Sequence, residues 1–299
     1  MLTKNAFFVV YATTAMTLLS GCADDQPKPI DIQGHRGARA LYPENSLTGF
    51  AYAATLPVRT LELDLVCNQH GDVVVSHEPW FNPVICLGPD GDTLAEPLNL
   101  FPLDLQTIQR CDCGSLGNPR FPQQRKMQTF KPTLAQVVEK VQTVPRPAGL
   151  PPVRFNAEIK HDAELVGSHF PPAAEAARII LAEVQRLGIA DLTTIQSFSA
   201  EVMEAVHAQA PAMQTAWLME DEVTVEEALS RLSFRPAIYS PYHKLLTAEE
   251  IKRAHTAGVA VIPWTVNDPE RMAELLAWGV DGLISDDPGL ALNALVDSL

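Results

Sequence analysis

Positive charge is scarce in this chain. Against 36 Asp and Glu stand 22 Lys and Arg, for a formal net charge of −14. Such a surface repels polyanions, so no nucleic-acid partner is expected, although a local basic pocket can still hold one phosphate. Low-complexity runs are missing. With 46% hydrophobic and 19% charged residues, the composition is that of a globular chain with ample apolar mass for a core. No Gly-x-Gly-x-x-Gly turn follows any candidate strand, which argues against a dinucleotide-binding doubly wound sheet. Cysteine is sparse, with five in 299 residues. Cys111-Asp112-Cys113 lacks the spacer usual in zinc sites and has no histidine pair nearby, so zinc is not expected. The apolar run Ala6 to Leu19 is too short and wrongly flanked for a stable membrane span.

That run instead reads as an export signal. Lys4 precedes it, and it closes on Leu19-Ser20-Gly21-Cys22, which resembles a lipobox. The resemblance implies removal of residues 1–21, a lipid on the Cys22 thiol, and anchorage to a membrane on its periplasmic or cell-surface side. Residues 22–30 then form a polar tether, and residues 31–299 the globular part. Export exposes the chain to an oxidising compartment. Cys67, Cys86, Cys111 and Cys113 therefore invite disulfides, in any of three pairings.

Beyond the tether, β-rich runs alternate with amphipathic helical stretches. Strands are expected at Asp31–His35, Thr60–Leu65, Arg154–Lys160, Thr193–Ser197, Gln214–Leu218, Ala237–Ser240, Val259–Trp264 and Gly282–Ser285. Helices are expected at Leu47–Ala54, Leu134–Val141, Ala173–Leu187, Ala200–Gln209, Val225–Leu232, Ala248–Ala257, Pro269–Trp278 and Pro288–Val296. Thr133, Thr247 and Asn267-Asp268 supply N-terminal caps. Eightfold alternation at this length points to an α/β fold, a (β/α)₈ TIM barrel. Residues 80–130 break the pattern. They are rich in Pro, Gly, Asn and Cys, show little helical period, and read as an insertion after strand two, with Val73–Val75 a short strand pairing back before it.

Chemistry in such barrels sits at the carboxyl ends of the strands. Strand one ends in Gly34-His35-Arg36-Gly37, which offers a titratable ring and a phosphate-matching fork. In Leu61-Glu62-Leu63-Asp64-Leu65 the period of two puts both carboxylates on one face. Two carboxylates inside a barrel are costly without a cation, and hard oxygen ligands favour Mg²⁺, Ca²⁺ or Mn²⁺. Asn156, Glu158 and Lys160 share a face of strand three. Glu158 completes a three-carboxylate cradle, and Lys160 supplies a point charge. His77, in Ser76-His77-Glu78-Pro79, brings a second imidazole. Glu44 and Asn45 either brace the loop or touch a ligand. Trp264 either walls a pocket or packs the barrel, and Gln196 and Ser197 are weaker pocket candidates.

The set His35-Arg36-Gly37, Pro43-Glu44-Asn45-Ser46, Glu62-Leu63-Asp64, His77, Glu158-Ile159-Lys160, Trp264-Thr265-Val266-Asn267, and Asp281-Gly282 through Ser285-Asp286-Asp287-Pro288 resembles the glycerophosphodiester phosphodiesterase family. The likeness covers the chain from about Ile32 onward. It implies a (β/α)₈ barrel, one divalent cation (Ca²⁺ or Mg²⁺) at Glu62, Asp64 and Glu158, catalytic His35 and His77, and phosphate contacts from Arg36 and Lys160. Ser46 replaces the more usual threonine, and either hydroxyl can cap the next helix.

The expected reaction is hydrolysis of a small glycerophosphodiester to an alcohol and glycerol 3-phosphate. One histidine acts as base and the other as acid, with the order open, and the nucleophile is water, the substrate's own glycerol hydroxyl through a cyclic intermediate, or His35 itself. Phospholipase-D-like action on lysophospholipids or sphingomyelin is the nearest rival. A non-catalytic binding lipoprotein is a third reading, though every expected catalytic group is present. Oligomeric state is open.

Overall fold

The computed structural model describes residues 29–298. The export run, Cys22 and the tether as far as Lys28 lie outside the described residues. Among those described, no helix is long and apolar enough to cross a membrane.

The strands are β1 (Asp31–Gly34), β2 (Thr60–Cys67), β3 (Val73–Val75), β4 (Trp80–Phe81), β5 (Leu98–Asn99), β6 (Arg154–Ile159), β7 (Thr193–Ser197), β8 (Gln214–Met219), β9 (Ile238–Pro241), β10 (Ala260–Val261) and β11 (Gly282–Ser285). The helices are α1 (Leu47–Thr55), α2 (Leu105–Arg110), α3 (Leu134–Gln142), α4 (Ala173–Arg186), α5 (Ala200–Gln209), α6 (Val225–Leu229), α7 (Ala248–Thr256), α8 (Pro269–Ala277) and α9 (Pro288–Asp297). Eight strands form a parallel sheet in the order β10-β9-β8-β7-β6-β2-β1-β11, which curls into the expected barrel. Side-chain hydroxyls and carboxylates start every α-helix but α4, which begins after Pro172 without a side-chain cap. Ser46 caps α1, accepting from the Gly49 amide at 3.1 Å, and Thr133 forms a full capping box on α3.

The expected strand Val259–Trp264 is cut to Ala260–Val261. Pro263 has no N–H to donate to a ladder. Single hydrogen bonds close the ring instead. The amides of Asp281, Ile284 and Val266 donate to the carbonyls of Val261, Pro263 and Ile284 at 2.9, 3.0 and 2.9 Å.

The alternation of β2 sorts its side chains. Leu61, Leu63 and Leu65 are fully buried under the helices. Glu62 and Asp64 point inward, as expected. The barrel interior is divided. Ala216, Ile238, Ile262 and Ile284 fill one side with apolar surface. On the other, Asn156 Nδ2 donates to Gln33 Oε1 at 2.9 Å and to Gln196 Oε1 at 3.0 Å, forming a polar floor beneath the carboxylates.

Residues 80–130 carry a small apolar cluster of their own. Phe81, Cys86, Leu100, Ile108 and Cys111 pack with Val66 and Val74. β3 pairs antiparallel with β2, Val75 beside Leu65, as expected. Helix α2, capped by Asp104, has six residues, too short to announce itself by periodicity. Of the three open cysteine pairings, Cys86–Cys113 is present, while Cys67 and Cys111 are buried free thiols.

Candidate active site

Parallel register sets the site. Asp64 of β2 lies beside Glu158 of β6, and Glu158 beside Gln196 of β7. Glu62, Asp64 and Glu158 each offer an oxygen, and these oxygens lie within 4.8 Å of one another. Both Glu62 and Asp64 are 1% exposed. The structure thus brings together the three carboxylates that the sequence singles out. Glu62 accepts from the Arg36 amide at 2.9 Å and from Gln196 Nε2 at 3.0 Å. Asp64 Oδ2 accepts from Asn45 Nδ2 at 2.8 Å, but its other oxygen, Oδ1, is buried without a hydrogen-bond partner.

Burial, together with the charges of Asp64 and Glu158, pushes the Glu62 carboxyl well above the usual range. Burial raises Glu158 as well. Asp64 is pushed the same way by burial, but Arg36, His77 and Lys160 outweigh that and hold it low. Three carboxylates crowded out of water, with one oxygen lacking any donor, fit a hard divalent cation. Among the described residues no other His, Cys, Asp and Glu group converges in this way.

His35 stands beside them. Its Nδ1 lies 2.6 Å from Asp286 Oδ1, and its Nε2 lies 3.8 Å from Glu62 Oε2. A proton on Nδ1 serves Asp286 and leaves the Nε2 lone pair on the carboxylate side. Burial lowers the His35 pKa to about 4, against the pull of Asp286. Asp286 is itself gripped from behind. Arg39 Nε and Nη2 donate at 2.6 and 3.3 Å, and Asn267 Nδ2 at 2.7 Å. His77 comes from the loop after β3, its Nδ1 3.2 Å from Glu78 Oε1, with about a third of its side chain exposed. Burial raises the Glu78 carboxyl, but His77, Lys131 and Arg36 bring it down to about 2.

The loop after β1 depends on close backbone approach. A Cβ on Gly34 would meet the Gly37 carbonyl oxygen at 2.2 Å. Arg36 and Asn45 adopt left-handed backbones, at φ 49° and 54°, and the Asn45 amide donates to the Arg36 carbonyl at 3.0 Å. Such non-glycine conformations persist where the surroundings enforce them. Here they aim the Arg36 amide at Glu62 and the Asn45 side chain at Asp64.

His35, Arg36, Glu62, His77, Glu158, Lys160, Gln196 and Trp264 line one cavity of about 220 Å³. Lys160 Nζ donates to Glu158 Oε1 at 2.6 Å. Trp264 Nε1 donates to the Ser240 carbonyl at 2.9 Å, and its ring meets the Phe198 ring edge-on at 5.3 Å, forming an aromatic wall. Glu44 braces, since its Oε1 accepts from Arg36 Nη1 at 2.9 Å and it does not line that cavity. Ser197 points away and bonds the Ile159 carbonyl. A larger groove of about 800 Å³ between the β2–β3 turn and α4 has no comparable convergence.

Four site residues had no role assigned from sequence. Asp286 follows the last residue of β11, so the strand-end rule alone flags it. Glu78 adjoins His77 in the chain. Arg39 and Arg120 sit in loops, and no local pattern places them at the cavity.

Comparison with known proteins bears on the family and the fold. The model described as "Glycerophosphoryl diester phosphodiesterase family" matches residues 35–290. A glycerophosphodiester phosphodiesterase of Bacillus subtilis (strain 168) is 26% identical over 276 residues, covering 88% of this chain and 86% of that protein. A crystal structure of a Silicibacter pomeroyi DSS-3 protein superimposes with a TM-score of 0.82 at 28% identity, covering 91% of this chain and 95% of the other. An Oleispira antarctica phosphodiesterase, solved in complex with the product sn-glycerol 3-phosphate, shares the fold with a TM-score of 0.71 at 19% identity, covering 89% and 96%.

Proposed function

The chain belongs to the glycerophosphoryl diester phosphodiesterase family and is an enzyme of that class, and from this premise we propose that it acts on small glycerophosphodiesters with the help of a divalent cation. Glycerophosphocholine is a representative substrate, and glycerol 3-phosphate and an alcohol are the products. The observation that carries this reading is the buried trio Glu62, Asp64 and Glu158, with its unpartnered Asp64 oxygen, set beside an imidazole that has its own carboxylate.

These three residues would hold one Ca²⁺ or Mg²⁺, and such an ion supplies charge neutralisation for a phosphate oxygen. The remaining work falls to this chain's side chains. Arg36 and Lys160 present fixed positive charge to the phosphate, the former held in place by Glu44. His35, neutral and with Nε2 free, takes a proton from the attacking water. Its Nδ1–H stays on Asp286, which steadies the ring and the imidazolium that forms. His77 gives a proton to the leaving alcohol oxygen. The water oxygen bonds to phosphorus as the bond from phosphorus to that alcohol oxygen breaks. Trp264 and Phe198 form an aromatic wall of the cavity. The glycerol 3-phosphate found on the Oleispira antarctica relative is the product that this cleavage releases.

We further propose that the enzyme works outside the cytoplasm. Residues 1–21 act as a lipoprotein signal peptide, Cys22 carries the lipid anchor, and residues 22–30 tether the barrel of residues 31–299 to the membrane. The run Ala6 to Leu19 ending in Leu19-Ser20-Gly21-Cys22 supports this.

The test is choline release from glycerophosphocholine by purified protein. Activity is expected with Mg²⁺ or Ca²⁺, lost on chelation, regained on re-addition, and abolished in His35→Ala. Full turnover in metal-free buffer, or an active His35→Ala variant, would contradict the assignment.

A further inference from the structure

Four Lys and Arg residues line the catalytic cavity: Arg36, Arg39, Arg120 and Lys160. Three of them are already committed. Arg36 pairs with Glu44 at 2.9 Å, Arg39 with Asp286 at 2.6 Å, and Lys160 with Glu158 at 2.6 Å. Arg120 differs. Its backbone N–H donates to Asn118 Oδ1 at 3.0 Å, and among the described residues its guanidinium has no carboxylate partner.

Arg120 does not belong to the barrel. It is carried by the insertion, on a stretch pinned to the loop between β1 and α1. The Arg39 guanidinium stacks over the Phe121 ring at 5.1 Å. Gln124 Nε2 donates to the Arg39 carbonyl at 2.7 Å, and the Arg125 amide to the Leu41 carbonyl at 2.9 Å. The Phe121 amide donates to the Asn118 carbonyl at 2.9 Å, closing a turn around Arg120. The backbone of Arg120 is thus fixed against the same loop that bears His35, while its side chain is left exposed at the cavity.

An unpaired guanidinium is a planar fork suited to phosphate oxygens. The paired cations beside it have much of their charge cancelled by their carboxylates. Every glycerophosphodiester carries one charge in common, the phosphate. We propose that Arg120 is a substrate-binding residue that donates to a phosphate oxygen of the bound diester. The insertion then supplies part of the substrate site rather than only covering the barrel. This rests on the reaction assigned above.

The test compares wild type with Arg120→Ala, Arg120→Lys and Arg110→Ala. Arg110 is an exposed cation of the same insertion, paired with Asp90 and not lining the cavity. Substrates are glycerophosphocholine and glycerophosphoserine, the second bearing an added carboxylate. Arg120→Ala is expected to raise KM about tenfold or more for both, with the smaller part of the loss in kcat, as for a lost charge-assisted contact. Arg120→Lys keeps charge without the fork and recovers part of the loss. Arg110→Ala leaves KM where it was. Calorimetric binding of glycerol 3-phosphate to the Mg²⁺-loaded protein weakens by a similar factor in Arg120→Ala. That measurement needs no turnover, so it judges Arg120 even if wild type cleaves neither substrate and the reaction assignment fails. Unchanged affinity in Arg120→Ala overturns the proposal. So does a loss confined to glycerophosphoserine, or an equal loss in Arg110→Ala.

Discussion

Asp286→Asn probes the support of His35. The wild-type carboxylate accepts from His35 Nδ1 at 2.6 Å and from Arg39 Nε at the same distance. A hydrogen bond to a charged group contributes about 1.5–3 kcal/mol, which on loss alone costs roughly tenfold to a hundredfold in kcat/KM. An asparagine can also turn its amide N–H toward Nδ1. The imidazole proton then moves to Nε2, the atom needed as acceptor, and in hydrolases with a comparable Asp–His pair that inversion costs roughly 10⁴-fold in kcat. The expected fall in kcat/KM therefore lies between about 10-fold and 10⁴-fold. Stability also suffers, because Arg39 is largely buried and loses its nearer carboxylate, keeping only Glu44 at 4.0 Å, so the cost approaches that of an orphaned charge without reaching it. An orphaned buried charge costs roughly 3–5 kcal/mol. The double variant Arg39→Met/Asp286→Asn separates the effects. It regains thermal stability, and its activity stays low. Steady-state kinetics with glycerophosphocholine, alongside thermal unfolding of each variant, gives the readout. A folded Asp286→Asn enzyme within about threefold of wild type would refute the role given to Asp286.

Two further outcomes follow from the cysteines. Burial pushes the thiol of Cys67 up to about 12 and that of Cys111 up to about 11. Since the thiolate is the reactive form, neither should react with a thiol reagent in native protein at about pH 8.5, and both should react on unfolding; fast labelling of native protein would contradict their burial. The Cys86–Cys113 bridge closes a loop with a sequence separation of 27, so its loss should lower unfolding free energy by about 3.5 kcal/mol in a denaturant titration of Cys86→Ala/Cys113→Ala. A change below about 0.5 kcal/mol would mean that the insertion does not depend on the bridge.

Much of this architecture is readable from the chain alone, because barrel strands advertise themselves locally. Glu62 and Asp64 stand two apart on a strand whose intervening leucines must face the helices. Glu158 and Lys160 repeat the pattern on the neighbouring strand or just past its end. What stays hidden depends on distant pairing. Asp286 meets His35 only because β11 closes the barrel against β1, 251 positions away in sequence. Arg39 reaches the site because Asp286, just past the end of β11, grips its guanidinium, and Arg120 reaches the cavity only because the insertion folds back on the loop after β1. The shortening of β10 follows from a single proline, a local signal that a hydrophobic pattern overrides. The choice among cysteine pairings depends on how the insertion folds, which periodicity does not encode.

The proposed function requires one divalent ion held by three carboxylates from two adjacent strands. Anomalous scattering from a crystal soaked in Mn²⁺ tests it most directly. One strong peak is expected among Glu62, Asp64 and Glu158, about 2.0–2.6 Å from an oxygen of each. No peak there, or a peak bound by other residues while these three stay unligated, would contradict it.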